Sequence, residues 1–283
     1  MSKKHSIYTR DIPGLFPIEE NKDKKPEDIA IRLRHQPYVD VIPYGPNAGE
    51  YALWIQTTFS PIGSFPYEDP GSIEDDPNGL TLTVKEIEDI FKNKATTTAY
   101  IVGGDPLYKW DDELRYLANS LACEQARVIV ETCGVTFPET FKINCYEEDA
   151  PHHIVVKPQL FAPVPNHELT SYFGWLSETV KELRWFEAFT TTIHFDMDCA
   201  KSDRGLREDI AHIIQFLHRT FGDSQETLDG LSVTFTPKVI DTLQDEKVLH
   251  TEHWKRLKMN VGKYIAHLPG AHVMTQLNHK LMG

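Results

Sequence analysis

Segments with a strand pattern alternate with segments with a helix pattern along most of the chain. Tyr51–Thr58 is rich in aromatic and β-branched residues, which predicts a strand, and Thr83–Asn93 repeats its apolar residues at helical spacing, which predicts a helix. The same alternation predicts further strands at Thr97–Val102, Arg127–Thr132, His153–Lys157, Thr191–Asp196, Leu231–Thr236 and Ala271–Gln276. It predicts further helices at Asp111–Glu124, Glu168–Phe186, Arg204–Arg219 and His250–His267.

Strands separated by helices predict an α/β fold in which a parallel sheet is joined by right-handed crossovers. Six or so such units, with no sign of a second domain, predict a closed or partial barrel of the (βα)6 type. In this architecture the chemistry belongs at the carboxyl ends of the strands.

The first part of the chain differs from the rest. Residues 1–36 are polar and include the charged run Glu20–Asp28, which predicts an N-terminal arm or loop outside the core. The remaining residues, 37–283, are predicted to form the barrel. A chain of 283 residues with 40% hydrophobic content can bury a full core, and its length fits one large domain better than two small ones.

The charge of the chain limits its partners. The formal net charge of -13 and the sequence pI of about 5.4 argue against a nucleic acid or an anionic membrane as the main partner, because phosphate binding needs a basic surface. No apolar stretch is long enough to span a bilayer, and the N-terminus lacks the apolar core of a signal peptide. A cytoplasmic location is therefore expected.

The four cysteines are Cys123, Cys133, Cys145 and Cys199, and no two of them form a Cys-x-x-Cys pair. This spacing argues against a disulfide framework and against a zinc site of the usual kind, so reduced thiols are expected. Cys133 follows a predicted strand end and is therefore the one expected near the mouth of the barrel.

Residues 45–56 carry a resemblance to a known family. Gly-Pro-Asn-Ala-Gly, followed by the strand Tyr51–Gln56, resembles the segment before the iron–sulfur loop of radical S-adenosylmethionine enzymes, in particular 7-carboxy-7-deazaguanine synthase of the queuosine pathway. Three cysteines should follow in Cys-x3-Cys-x2-Cys-Asp. When the motif is anchored on Asp69 they fall on Pro61, Phe65 and Glu68, and one residue earlier they fall on Ser60, Ser64 and Tyr67.

Three further motifs follow in the family's order. Gly103-Gly104-Asp105-Pro106 resembles Gly-Gly-Glu-Pro, Glu131-Thr132-Cys133-Gly134 resembles Glu-Thr-x-Gly, and Gln276 to Lys280 resembles a Gln-x-His-Lys ending with one extra residue. The resemblance covers residues 40–283. It implies cofactor binding by Gly103, Gly104, Asp105, Pro106 and Glu131, and a substrate pocket that includes Asn47, Gln276 and His279. The alternative for the first motif is a strand-to-helix turn, with Asp105 as N-cap and Pro106 as the first helical residue.

Departures from the family occur where cluster, substrate and metal should bind. Cluster irons need soft thiolate ligands, and neither set of loop positions supplies one. The arginine expected after Asn-Ala-Gly is Glu50, the Asp-Thr that helps to hold magnesium is Asp69-Pro70, and Ser-Pro-Lys is matched only loosely at Val156-Lys157-Pro158. Ile42 to Gly45 stands where the family has Gln-Gly-Glu-Gly.

These departures predict a cluster-less homologue of 7-carboxy-7-deazaguanine synthase that acts as a binding, regulatory or structural protein, with no catalytic residues and no metal. The expected cofactor is none, or S-adenosylmethionine or another adenosine compound without a cluster. The alternative is an active enzyme of the 7-deazaguanine pathway with non-standard cluster ligands. The resemblance implies a homodimer, and a protein partner in a larger assembly is the other expected interaction.

Other residues are weaker candidates. His250 and His253 have an i, i+3 spacing that could chelate zinc on a helix. His152 and His153 could line the mouth of the barrel. Asp196 and Asp198 point to the same side of a strand and could hold a cation or do acid–base work, or could form a solvated strand end.

Overall fold

The computed structural model describes residues 25–42, 47–58, 79–103, 105–107, 110, 112–134, 151–158, 176, 190–199, 201–221, 231–237, 252, 255–261 and 271–273. Ten strands are named in chain order: β1 (Ala30–Leu33), β2 (Tyr38–Val41), β3 (Tyr51–Gln56), β4 (Leu80–Thr83), β5 (Thr98–Val102), β6 (Arg127–Thr132), β7 (His153–Val156), β8 (Thr190–Met197), β9 (Leu231–Pro237) and β10 (Ala271–Val273). Three helices are α1 (Val84–Lys92), α2 (Asp112–Cys123) and α3 (Asp203–Phe221), and residues 255–261 are also helical.

Eight strands form one sheet in the order β10-β9-β8-β7-β6-β5-β3-β2. All neighbouring strands in it pair in parallel except β2, which pairs antiparallel with β3. The predicted α/β class with a mainly parallel sheet is therefore confirmed. Within the described ranges β2 and β10 are the two edges of an open sheet, so this part of the protein does not form a closed barrel.

The helices cover one face of this sheet. Alternate strand residues such as Ile55, Ile101 and Val130 belong to one buried apolar cluster with Leu117 of α2 and Ile210 of α3. This face is called the outer face. Since strand side chains alternate between faces, the residues in between lie on the other side.

That other side is called the inner face and is defined by Trp54, Tyr100, Ile129 and Val155, which belong to a second, smaller apolar cluster. On β8 and β9 the inner face is polar instead: His194 and Thr234 are buried there and hydrogen-bonded to each other. The two faces thus differ in chemistry. On the same two strands the outer face carries Phe195 and Phe235.

Part of the segment predicted as an N-terminal arm is a buried strand. Within it, residues 30–33 form β1, which pairs antiparallel with β4, and Ile31 and Leu33 are buried in the main core at 4% and 0% exposure. The alternation of apolar Ile29, Ile31 and Leu33 is a strand pattern that the neighbouring charged run concealed. Residues 1–24 lie outside the described residues.

The predicted bounds of β3, of β5 to β10 and of α1 to α3 agree with the structure to within three residues. β5, β6 and β9 and helices α1 and α2 begin and end within one residue of the predicted bounds. β1, β2 and β4 were not predicted, and the helix predicted at Glu168–Phe186 lies outside the described residues except for residue 176. No helix among the described residues is both long and apolar enough to cross a membrane.

Candidate functional site

The turn after β5 requires a glycine. Gly103 has φ of +85°, and a Cβ atom there would lie 2.4 Å from Gln56 Cγ and 2.8 Å from the Thr57 carbonyl oxygen. The Thr57 hydroxyl donates to the Gly103 carbonyl oxygen at 2.7 Å. The first glycine of the Gly-Gly motif therefore lets the end of β3 approach the turn closely. Gly104 lies outside the described residues.

Asp105 is fully buried just beyond this turn. Its carboxylate accepts hydrogen bonds from the Thr132 hydroxyl at 2.6 Å, the Cys133 thiol at 2.7 Å and the Leu107 backbone N–H at 3.1 Å. We call these four residues the Asp105 clasp. It ties the segment after β5 to the end of β6.

Burial raises the pKa of Asp105, while the donors from Cys133, Thr132 and Leu107 act in the opposite direction. The carboxylate oxygens are already engaged within the clasp. This arrangement gives Asp105 a role in holding two strand ends together.

The alternative prediction for this segment, a helix that begins at Pro106, was wrong. Pro106 and Leu107 form a turn, and α2 begins at Asp112. The bond from Leu107 N–H to the Asp105 side chain is an Asx turn, a local structure that aspartate forms as readily as a helix cap.

Glu131, at the end of β6, points to the inner face and not into the clasp. It accepts a hydrogen bond of 2.6 Å from the Tyr100 hydroxyl, and Lys157 Nζ lies 4.0 Å from its other oxygen. Lys157 Nζ is also 3.1 Å from Asp196 Oδ2. Glu131, Lys157 and Asp196 come from the carboxyl ends of three neighbouring strands, and we call them the ion-pair cluster.

The ion-pair cluster is only partly buried. The side chains of Glu131, Lys157 and Asp196 are 12%, 23% and 27% exposed, so solvent or a ligand can reach them. Burial alone would lower the pKa of Lys157 and raise that of Asp196. The opposite charges outweigh burial, so the pKa of Lys157 is raised and that of Asp196 is lowered.

His194 extends this polar network across β8 and β9, and His153 forms a separate set of bonds from β7 to β8. His194 Nδ1 lies 2.8 Å from the Thr234 hydroxyl, and its Nε2 lies 3.0 Å from Asp196 Oδ1. His153 contacts the Thr190 hydroxyl at 2.6 Å and the Thr192 hydroxyl at 3.1 Å. Burial lowers the pKa of His153 to about 4, and the positive charge of Arg127 adds to that effect.

Not all predicted site residues come together. Asn47 donates to Glu50 at 3.1 Å, and Glu50 forms a 2.8 Å ion pair with Arg127, the first residue of β6. This places Asn47 and Glu50 at the amino ends of the strands, whereas Gly103 and Glu131 lie at the carboxyl ends. The structure therefore does not bring Asn47 into one pocket with the predicted cofactor residues.

Other predicted positions lie outside the described residues. They are Gln276, His279, His250, His253 and both sets of loop positions, Pro61, Phe65 and Glu68 or Ser60, Ser64 and Tyr67.

Among the described residues, no set of donors is arranged to hold a four-iron cluster. No residue from Thr58 to Asp69 is a cysteine. The Cys133 thiol is buried and donates to Asp105, and burial raises the pKa of Cys199 to about 12, against the effect of Arg256. Thiolates are the form that binds iron, so neither buried thiol is a ready ligand. Within the described ranges no three His, Cys, Asp or Glu residues are arranged to hold a metal ion.

Sequence reasoning missed Tyr100 and gave Lys157 no role. The signal was available for Lys157, because a lysine that directly follows a buried strand in a parallel sheet lies at the same edge as Glu131 and Asp196. Tyr100 lies within a buried strand and gives no such signal.

The fold and this site define a mixed α/β protein with a mostly parallel sheet. No protein-family model matches the chain, and no curated protein matches it. Among solved structures it is similar to SuiB of Streptococcus suis, a radical S-adenosylmethionine enzyme. The structure of SuiB bound to S-adenosylmethionine matches with a TM-score of 0.45 and 16% sequence identity. The match covers 78% of this chain and 46% of that chain.

Two other structures of the same protein give similar values. SuiB with no named ligand matches with TM-score 0.42 and 17% identity over 69% of this chain and 44% of that chain. SuiB bound to its precursor peptide SuiA matches with TM-score 0.45 and 16% identity over 71% and 43%. The chain thus spans less than half the length of each SuiB chain, and the likeness concerns the fold only.

Proposed function

We propose that this protein is a cluster-less homologue of 7-carboxy-7-deazaguanine synthase that binds a ligand at the carboxyl ends of its strands without radical chemistry. The observation that carries the proposal is the sequence that follows β3, where the motif order of the family continues but every thiolate position is occupied by another residue type. Without soft ligands a four-iron cluster cannot be held in the usual way.

The ion-pair cluster favours ligand binding over a purely structural role. It keeps three partly exposed charged side chains at the edge of the sheet where parallel α/β proteins bind ligands. Asp105, by contrast, is enclosed in its clasp, so we assign ligand contact to Glu131 and Lys157 and a supporting role to Asp105.

Iron and sulfide analysis after anaerobic reconstitution tests the absence of a cluster. We expect no stoichiometric iron or sulfide and no absorption from a cluster. Four irons per chain in folded protein would contradict the proposal and support the second candidate.

That second candidate is an active enzyme of the 7-deazaguanine pathway with non-standard cluster ligands. Cys145, which lies outside the described residues, keeps this candidate open as a source of a thiolate. It requires that S-adenosylmethionine be cleaved to 5'-deoxyadenosine under reducing conditions. Folded, reconstituted protein that forms none of this product would rule it out.

Binding of S-adenosylmethionine without cleavage is tested by calorimetric titration. Lys157→Met and Glu131→Gln change the ion-pair cluster, and we expect at least one of them to weaken binding about tenfold, as for a lost hydrogen bond to a charged group. Lys85→Met is the matched control, since Lys85 forms its ion pair with Asp89 on the surface of α1. Asp105→Ala is less informative, because it removes the centre of the clasp and is expected to impair folding.

The homodimer implied by the family resemblance, and a protein partner in a larger assembly, are part of this proposal. Sedimentation velocity of the purified full chain tests the dimer.

A further inference from the structure

Two buried polar groups in the described part of β3 and its extension lack a hydrogen-bond partner. Among the described residues four buried side-chain polar atoms are without one, and two of these belong to Arg32 and Trp110, which make other interactions. The other two are Trp54 Nε1 and Thr58 Oγ1. Thr58 is 0% exposed.

Both groups lie on the inner face along β3. Trp54 is on that face, and the Thr57 N–H bond to the Val102 carbonyl continues the strand pairing past Gln56. The alternation of an extended chain then puts Thr58 on the same face as Trp54 and Gln56. The structure therefore gathers an indole N–H, an amide and a hydroxyl in one line.

An unsatisfied buried donor lowers stability, and native proteins satisfy most such groups. Two of them on one face of one strand indicate that their partners come from a bound molecule. The aromatic surroundings suit a flat ring: Trp54 is tilted against Tyr100 at a centroid distance of 4.8 Å and stacked with Tyr38 at 6.0 Å.

The charge of this face argues against an anionic ligand. The ion-pair cluster carries two carboxylates and one ammonium, and these groups already satisfy one another. A phosphate or carboxylate of a ligand would be repelled by the net negative charge of this cluster. The unsatisfied groups on β3 are all uncharged.

We propose that the inner face of β3 binds the polar edge of an uncharged nucleoside, with the Trp54 N–H bonded to an acceptor on the base and Thr58 bonded to a sugar hydroxyl. This inference rests on the proposed binding function and deepens it. It adds Trp54 and Thr58 to the ligand contacts proposed for Glu131 and Lys157.

The test is titration of the full chain with adenosine and guanosine by calorimetry, with adenosine monophosphate as the charged comparison. We expect at least one nucleoside to bind, and the monophosphate to bind more weakly than adenosine. Trp54→Phe keeps an aromatic ring and removes the N–H, and Thr58→Val keeps the shape and removes the hydroxyl. Each should weaken nucleoside binding roughly 3- to 10-fold, as for one neutral hydrogen bond.

A second measurement separates a missing partner from simple loss of packing. Thr58→Val should raise the melting temperature of the ligand-free protein by about 2–4 °C, because it removes an unsatisfied buried hydroxyl. Thr57→Val is the matched control, since the neighbouring hydroxyl is bonded to Gly103, and it should lower the melting temperature. The indole N–H resonance of Trp54, assigned with Trp54→Phe, should shift when the nucleoside is added.

Three results would overturn the inference. They are no binding of either nucleoside, binding that is unchanged in both β3 variants, and a lower melting temperature for Thr58→Val. Iron and sulfide analysis tests the proposed function separately, so the function and the nucleoside site can each fail without the other.

Discussion

Gly103 adopts a backbone conformation that other residues rarely reach. Its φ of +85° and the contact of 2.4 Å that a Cβ would make with Gln56 Cγ make Gly103→Ala costly. We expect a loss of about 2–4 kcal/mol in the free energy of unfolding, measured by urea denaturation.

Gly205 provides the matched control. It lies in the first turn of α3, and the nearest atom to its Cβ position is 3.6 Å away. Gly205→Ala should therefore be neutral or stabilising by up to about 1 kcal/mol. Equal losses in the two variants would show that the Gly103 turn is not under the constraint described.

His153 gives stability a pH dependence. Its pKa is lowered from 6.5 to about 4, so the unfolded chain binds a proton that the folded chain excludes. The stability linked to His153 is complete above about pH 6.5 and is lost as the pH falls to about 4, for a total of about 3 kcal/mol.

His153→Gln should reduce the change in the free energy of unfolding between pH 4 and 6.5. The reason is that a glutamine amide can bond Thr190 and Thr192 without titrating. Chemical denaturation at several pH values between 4 and 7 measures the effect. His152→Gln is the control, since His152 is the exposed neighbour. An unchanged slope in His153→Gln would contradict the assignment.

At the scale of single elements, α1 has a complete capping box. The Thr83 hydroxyl accepts from the Glu86 N–H at 3.2 Å, and Glu86 Oε2 accepts from the Thr83 N–H at 2.7 Å. Thr83→Ala should lower the free energy of unfolding by about 1 kcal/mol, and Thr83→Ser should retain most of it. Thermal unfolding followed by circular dichroism measures both, and equal melting temperatures for the two variants would contradict the role of the cap.

The sequence pattern alone predicted the bounds of the longer helices and strands well, but it missed three short strands. Buried parallel strands such as β6 are continuous apolar runs between turn residues, which makes their bounds visible. β1, β2 and β4 have four residues each and lie beside charged or loop-like sequence, so their alternation is too short to stand out. The pairing of β1 with β4 also joins segments that are distant in the chain.

The site was harder to predict than the fold, for a physical reason. Glu131 was found through a local motif, but its partners Tyr100 and Lys157 come from other strands. The direction in which Asp105 points could not be predicted from the sequence either. It depends on Thr132 and Cys133, which come close to Asp105 only when the sheet forms. Contacts across strands cannot be deduced from spacing along one of them.

At the scale of the whole molecule, the order of strands in the sheet predicts how strongly their backbone amides are protected from hydrogen exchange. β6 and β7 lie between strands on both sides, while β2 and β10 are the edges of the described sheet. In hydrogen–deuterium exchange we expect the amides of β6 and β7 to exchange slowest and those of β2 and β10 fastest among the strands of this sheet. Faster exchange in β6 than in β2 would contradict this order.

The buried thiol of Cys133 allows the rate at which the Asp105 clasp opens to be measured. An alkylating reagent cannot reach it while it donates to Asp105, so its labelling rate reports how often the ends of β5 and β6 separate. Cys123 is exposed on α2 and reacts without such opening, which supplies an internal reference in the same molecule. A ligand that closes this edge of the sheet would slow the label at Cys133 and leave Cys123 unchanged.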